Sequence, residues 1–194
     1  MIKALIFDFF GVLANEGTVS FAKTYYPNDK EKLTRTYQLQ DKLNLAVLTY
    51  REYVDELAKL SGVDGAEVIR HLESHQANDQ LLGYIREQLK PKYKIGMLSN
   101  AGGDWAYEIL SKEDIALFDD IVLSYKTGFI KPEPEIYRLA LENLGVRPSE
   151  SVFVDDVQRY CEGAEELGIR AVLYRDFEQM KAELEKMLVG SADN

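Results

Sequence analysis

An α/β fold built on a Rossmann-like, doubly wound parallel sheet is predicted from three observations. Short apolar runs bounded by turn residues recur at 2–13, 95–100 and 151–156, and runs of this length fit strands buried on both faces of a parallel sheet. The segments between them carry apolar residues at helical spacing. Strand and helix units also alternate through the second half of the chain, a pattern that requires right-handed crossovers and a parallel sheet.

The first run, Ile-Lys-Ala-Leu-Ile-Phe-Asp-Phe-Phe-Gly-Val-Leu, carries Asp8, and Gly11 supplies the turn. Ligands of open α/β sheets sit beyond the carboxyl ends of the strands, which places Asp8 where chemistry happens. An acidic residue there can equally well cap the next helix, so Asp8 alone supports either reading. From about 15 to 78 the pattern turns helical, and no strand pattern interrupts it. A helix is predicted over 28–48 with Leu33, Tyr37 and Leu43 inward. Thr49-Tyr-Arg-Glu52 is a capping-box signature before Tyr53, Val54, Leu57 and Leu60, with Gly62 as the stop. Asp64 and Glu67 open a further helix carrying Val68, Ile69 and Leu72. Residues 15–78 are therefore predicted to be a small helical insertion, with 1–14 and 79–194 forming the α/β core.

The insertion is rich in tyrosine, at 25, 26, 37, 50 and 53. Buried rings with satisfied hydroxyls account for these, and some could instead line a pocket beside Asn15 and Glu16. His71 and His75 stand four apart, a spacing that could share a metal, but no further ligand pattern accompanies them and they are read as solvent-facing.

Beyond the insertion, Asp79 is expected to cap a helix through Leu81, Leu82, Ile85 and Leu89 that Pro91 closes. The strand ending at Ser99 follows, then Gly102-Gly103, read as letting backbone approach a ligand closely. Asp104 is expected to cap the helix of Trp105, Tyr107, Ile109 and Leu110. A strand is predicted over 119–125, a loop over 126–131, and a helix from Pro134 to Leu144 that stops at Gly145. The last units are a helix through Ala164 and Leu167, a strand over 169–174, and a helix capped by Asp176, with 190–194 read as disordered.

Composition sets bounds on function. The 194 residues suit one domain, or one with an insertion, and 46% are hydrophobic. A formal net charge of −10 argues against an electrostatic grip on nucleic acid or anionic membrane. An anionic substrate must then be met by local cations. Cys161 is the only cysteine, so no internal disulfide is possible and a reducing compartment is expected. It reads as a small helix residue near the core rather than a catalytic thiol. No secretory or membrane-spanning run is evident, and a soluble cytoplasmic protein is expected. The oligomeric state is not readable.

Four stations carry the chemistry. Asp8 ends the first strand, Ser99 ends the run Ile-Gly-Met-Leu-Ser, Lys131 sits in Gly-Phe-Ile-Lys-Pro-Glu-Pro before a helix start, and Asp155-Asp156 end the third buried run. Carboxylate, hydroxyl, ammonium and a carboxylate pair in that order could converge on one crevice. The adjacent acids repel, and a cation would explain why both are tolerated at a strand end.

These four stations, spread over essentially the whole chain, resemble the motifs of the haloacid dehalogenase superfamily. The resemblance implies that Asp8 is a nucleophile forming an aspartyl-phosphate. It implies that Ser99, with the backbone of Asn100 and Ala101, and Lys131 hold the phosphoryl group, and that Asp8, the carbonyl of Phe10, Asp155 and Asp156 hold Mg²⁺. Oxygen ligands suit such a hard cation, and phosphoryl transfer needs mainly positioning and charge stabilisation. The helical insertion would be a cap over the site that chooses a small phosphorylated metabolite. In a phosphate-receiver signalling domain the acidic pair follows the first strand, whereas here it comes last.

Two departures stand out. Phe10 occupies the position where phosphatases of the superfamily carry an acid that moves protons, and losing such a group typically costs on the order of 10²–10⁴-fold in rate. Tyr160 replaces an Asn that often contributes to the metal's surroundings, which suggests weakened Mg²⁺ binding. Three functions follow from the resemblance. The first is a Mg²⁺-dependent phosphatase handicapped at proton transfer, best on esters with acidic leaving groups. The second is a metal-independent 2-haloacid dehalogenase, a branch with an aromatic residue at the Phe10 position. The third is a phosphometabolite-binding protein that has lost turnover.

Overall fold

The computed structural model describes residues 1–189. Among them, five strands, Ala4–Phe7 (β1), Lys94–Ser99 (β2), Asp120–Leu123 (β3), Ser151–Asp155 (β4) and Arg170–Leu173 (β5), form one sheet in the order β3-β2-β1-β4-β5. All pairings are parallel. The chain winds outward through β2 and β3 on one side of β1, then returns to lay β4 and β5 on the other. The reversal leaves a crevice beyond the carboxyl ends of β1 and β4, the expected ligand position in such sheets.

Four helices follow β1: Gly17–Tyr25 (α1), Lys30–Asn44 (α2), Tyr50–Ser61 (α3) and Gly65–Leu72 (α4). The core then continues with Asp79–Tyr84 (α5), extended by a π-helical turn at Ile85–Leu89, and with Trp105–Ile109 (α6), Lys112–Ile115 (α7) and Ser124–Thr127 (α8). Pro134–Leu144 (α9), Gln158–Glu166 (α10) and Phe177–Val189 (α11) complete it.

Burial follows the strand alternation, because successive side chains point to opposite faces. On β1, Leu5 and Phe7 join Ile95, Met97, Val154, Leu81 and Met180 in one apolar cluster. Ala4 and Ile6 join Leu98, Phe153, Ile136 and Ala164 in the other. The helices α1–α4 enclose a third cluster of their own around Phe21, Leu39, Tyr53, Leu57 and Val68. No helix of the described residues is long and apolar enough to cross a membrane.

Most local signals are obeyed. Thr49 and Glu52 form the reciprocal capping box, and Gly62 and Gly145 end their helices in the left-handed region. Asp64 and Asp176 accept from the third backbone N–H of the helices they open. Cys161 is buried on α10. Residues 190–194, expected to be disordered, lie outside the described residues.

Several expectations are corrected. The cap of α5 is Asn78, whose side chain accepts from Leu81 N–H at 3.2 Å, not Asp79; Asn78 also donates to the Val12 carbonyl, which fixes its orientation. Asp104 makes no capping bond because Lys126 Nζ engages it at 2.6 Å. The third strand stops at Leu123, and Ser124 and Tyr125 already belong to α8. A helix at 17–25 precedes the predicted one, which itself is shorter, at Lys30–Asn44. Tyr37 faces outward, 45% exposed, while Leu43 is buried. His71 and His75 are both partly buried, His71 under Tyr25 and Phe21 and His75 against Phe10 and Trp105.

Gly102 serves packing, and it also lines a small cavity with Phe10 and Glu16. A Cβ there would lie 2.3 Å from Leu43 Cγ, so the missing side chain lets α2 dock on the loop after β2. Gly102→Ala is expected to cost about 1–3 kcal/mol through overpacking. Urea unfolding of the single and of Gly102→Ala with Leu43→Ala checks this: the double variant should lose less than the sum of the two singles.

Candidate active site

Asp8 directly follows β1, and its backbone N–H donates to the Val154 carbonyl at 2.9 Å. Phe7 lies opposite Val154 in the register, so Asp8 stands beside Asp155, the last residue of β4. Lys131 Nζ donates to Asp8 Oδ1 and to Asp155 Oδ2, both at 2.6 Å. The lysine is 1% exposed, and Asp155 is fully buried. Asp155 Oδ1 accepts from Val157 N–H at 2.8 Å, which leaves its carboxylate anchored at both oxygens. Carboxylate oxygens of Asp8, Asp155 and Asp156 lie within 4.8 Å of one another.

The chain around these groups fits them closely. Gly11 has φ +90°, and a Cβ there would come within 2.3 Å of the Asp156 carboxylate. Any side chain at 11 would both strain the backbone and displace that acid. Asn100 clamps the lysine's backbone: its Oδ1 accepts from Lys131 N–H at 2.8 Å and its Nδ2 donates to the Lys131 carbonyl at 3.1 Å. Tyr160, read from sequence as a gap in the metal's surroundings, stands over Lys131 with its ring centroid 5.0 Å from Nζ. Its hydroxyl accepts from Arg159 at 2.9 Å.

Ser99 Oγ is buried without a hydrogen-bond partner, a costly state for a hydroxyl unless a ligand completes it. The following backbone is differently committed, since Ala101 N–H donates to Ser124 Oγ at 3.0 Å. Ser124 also donates to the Asn44 carbonyl at 2.7 Å, tying the end of α2 to this loop. Sequence reasoning passed over Ser124, because a lone serine after a strand has no distinctive spacing.

Phe10 is half-buried, with its ring 5.1 Å from that of His75. It lines a cavity of about 570 Å³ together with Asp8, Glu16, Gln40, Asp41, Asn100, Lys131, Asp156 and Arg159. Of the tyrosines, Tyr26 and Tyr53 are buried with hydroxyls satisfied by Thr36 and Thr18. Tyr37 lines the large cavity, and Tyr50 and Tyr53 line a smaller one beside it.

The electrostatics follow from too few cations. Burial, then the charge of Asp155, holds the Asp8 carboxyl well above the usual range, with Lys131 opposing. Burial works against the Lys131 charge, but Asp155 and Asp8 more than offset it, so the ammonium is held above its ordinary value. Burial and then Asp155 push Asp156 up to about 6. A carboxyl raised in the folded state costs stability once it ionises, a penalty that grows as pH rises from about 4 to 6 and persists above. Asp156→Asn is therefore expected to raise the melting temperature of the metal-free protein at pH 8, with the gain vanishing near pH 4. An unchanged or lower melting temperature at pH 8 would contradict this account of the repulsion.

Comparisons with known proteins agree with this geometry. Residues 5–174 match the haloacid dehalogenase-like hydrolase family. The chain is 28% identical over 191 residues to D-ribitol-5-phosphate phosphatase of Bacteroides thetaiotaomicron, covering 87% of this chain and 89% of that enzyme. It is 40% identical over 70 residues to bifunctional epoxide hydrolase 2 of Sus scrofa, a match that spans only 13% of that protein's length. Among solved structures, a family enzyme from Bacteroides thetaiotaomicron in complex with magnesium and inorganic phosphate aligns with a TM-score of 0.67 at 28% identity, over 90% of this chain and 95% of that one. An L-2-haloacid dehalogenase from Xanthobacter autotrophicus shares the fold, with a TM-score of 0.65 at 22% identity over 96% of this chain and 83% of that one. With its parallel sheet, its four stations and this match over most of its length, the chain belongs to the haloacid dehalogenase-like hydrolases.

Proposed function

We propose that the protein is a Mg²⁺-dependent phosphatase of small phosphomonoesters that works through an aspartyl-phosphate on Asp8. The observation that carries this reading is the bridging of Asp8 and Asp155 by Lys131, with Asp156 beside them. Three carboxylates against one ammonium form a donor set suited to a hard divalent cation. Asp8, Asp155, Asp156 and the carbonyl of Phe10 would hold Mg²⁺, which when bound neutralises charge on the phosphate and the nucleophile.

The protein's own groups divide the remaining work. Asp8 attacks phosphorus. Lys131 and the unpartnered Ser99 hydroxyl, with the backbone N–H of Asn100, receive the phosphoryl oxygens, the Ala101 N–H being held by Ser124 instead. Asn100 also keeps Lys131 aimed. Residues 15–78 act as a cap, and the cavity contributes Thr34, Gln38, Gln40 and Asn44 from α2. Neutral amides and hydroxyls of this kind suit a hydroxylated leaving group, and the Bacteroides relative is a D-ribitol-5-phosphate phosphatase.

Phe10 is the observation favouring dehalogenation instead, since halide leaves without a proton. Against it, that reaction gives the crowded acids no cation to justify them. Assays separate the readings. Nitrophenolate release from p-nitrophenyl phosphate should require Mg²⁺, stop with EDTA, and fall on the order of 10³-fold or more in Asp8→Asn. Halide release from 2-chloropropionate with EDTA present would overturn the phosphatase assignment. Tight phosphate binding with no hydrolysis would instead support a binding protein.

A further inference from the structure

Phe10 leaves the cavity without a proton-transfer group at the position where phosphatases of the superfamily place one. Glu16 offers a carboxyl from a different direction. It occupies the cap position of α1 with φ −103° and ψ 112°, yet its side chain makes no capping bond. Its Oε1 instead accepts from Gln40 Nε2 of α2 at 3.0 Å. Glu16 and Gln40 both line the cavity that contains Asp8, Phe10 and Lys131.

The other acids at or beside this cavity have different surroundings. Asp155 is bonded to Lys131, Asp156 belongs to the acidic cluster, and the charge of Arg159 acts on Asp41. His75 touches Phe10 but lines the smaller neighbouring cavity. The charges of Lys131 and Asp155 reach Glu16, and Asp156 in turn feels its charge, so it sits within electrostatic range of the reacting groups. Burial raises the Glu16 carboxyl above its ordinary value, against the Gln40 bond, which favours a protonated form able to donate.

We infer that Glu16 is the general acid, and then the general base, of the phosphatase cycle, an inference that rests on the function proposed above. In the first half-reaction an Asp8 oxygen attacks phosphorus while the bond from phosphorus to the leaving oxygen breaks. The Glu16 proton passes to that oxygen, which departs as an alcohol. In the second, water attacks phosphorus and gives a proton to the Glu16 carboxylate as the bond from phosphorus to Asp8 breaks. Inorganic phosphate leaves, and the Asp8 carboxylate and Glu16 carboxyl are restored.

The two half-reactions depend differently on Glu16, and this makes the role testable. A nitrophenolate leaves without protonation, whereas a glycerol alkoxide does not, and water needs a base in either case. With Mg²⁺ present, Glu16→Gln mixed with p-nitrophenyl phosphate should release a stoichiometric burst of nitrophenolate and accumulate phosphate on Asp8, seen by intact-protein mass spectrometry. Steady-state kcat should fall on the order of 10²–10⁴-fold, with KM falling alongside it because the adduct accumulates, so that kcat/KM for this ester stays near wild type. With glycerol phosphate the rate should fall without an adduct. Glu16→Ala should regain turnover with added acetate.

Unchanged kinetics in both variants, a raised KM without a burst, or an adduct in His75→Gln but not in Glu16→Gln would each overturn the assignment while leaving the phosphatase reading intact. A wild-type protein that releases no nitrophenolate would overturn both. Circular dichroism spectra matching wild type establish that the variants fold.

Discussion

The lysine ammonium wedged between Asp8 and Asp155 is the interaction on which the rest of the molecule depends. Taking it and the carboxylates of Asp8 and Asp155 out of water is expensive, and such a cluster is tolerated only with close geometry and further hydrogen bonds. Each partner is accordingly fixed from outside: Asp155 by Val157 N–H, the Lys131 backbone by Asn100, and the ammonium by the rings of Tyr160 and Phe153. One positive charge against three negative ones still leaves two negative charges in excess. Burial first, and then that excess, raises the Asp8 and Asp156 carboxyls.

The sheet's winding produces this meeting. Because β1 and β4 are neighbours although more than a hundred residues separate them, the ends of two buried strands deliver their acids to one point. Gly11 then turns the chain away without occupying the space that Asp156 needs. The helical insertion is bound to the same place by small contacts: Leu43 on Gly102 and Ser124 on the Asn44 carbonyl. The insertion and the acidic site are thereby joined through α2, which contributes Gln40 to the cavity and to Glu16.

The sheet and its three acid- or hydroxyl-bearing stations were legible because fully buried parallel strands read as apolar runs, and a polar residue that abruptly ends such a run marks the edge where the sheet opens to a ligand; Lys131, in the loop before α9, stood out by its place before a helix start. Thr49 and Glu52 were legible for a similarly local reason, since a capping box is complete within one turn. What escaped depended on distant partners. Asn78 won the cap from Asp79 through its bond to Val12, far away in sequence. The packing role of Gly102 was hidden because Leu43 lies some sixty residues earlier. Tyr37 fits an inward helical position, but α2 turns that face toward the open cavity. Glu16 was legible only as a neighbour of a possible pocket, because its partner Gln40 comes from another helix.

The proposed metal centre requires that the acidic cluster take up a divalent cation, and calorimetric titration of Mg²⁺ into the protein near pH 7.5 tests this most directly. One saturable site per chain, weakening as pH falls through about 6 where Asp156 gains its proton, is the result expected. Absence of saturable Mg²⁺ binding in a folded sample would contradict the assignment of these carboxylates as a metal centre.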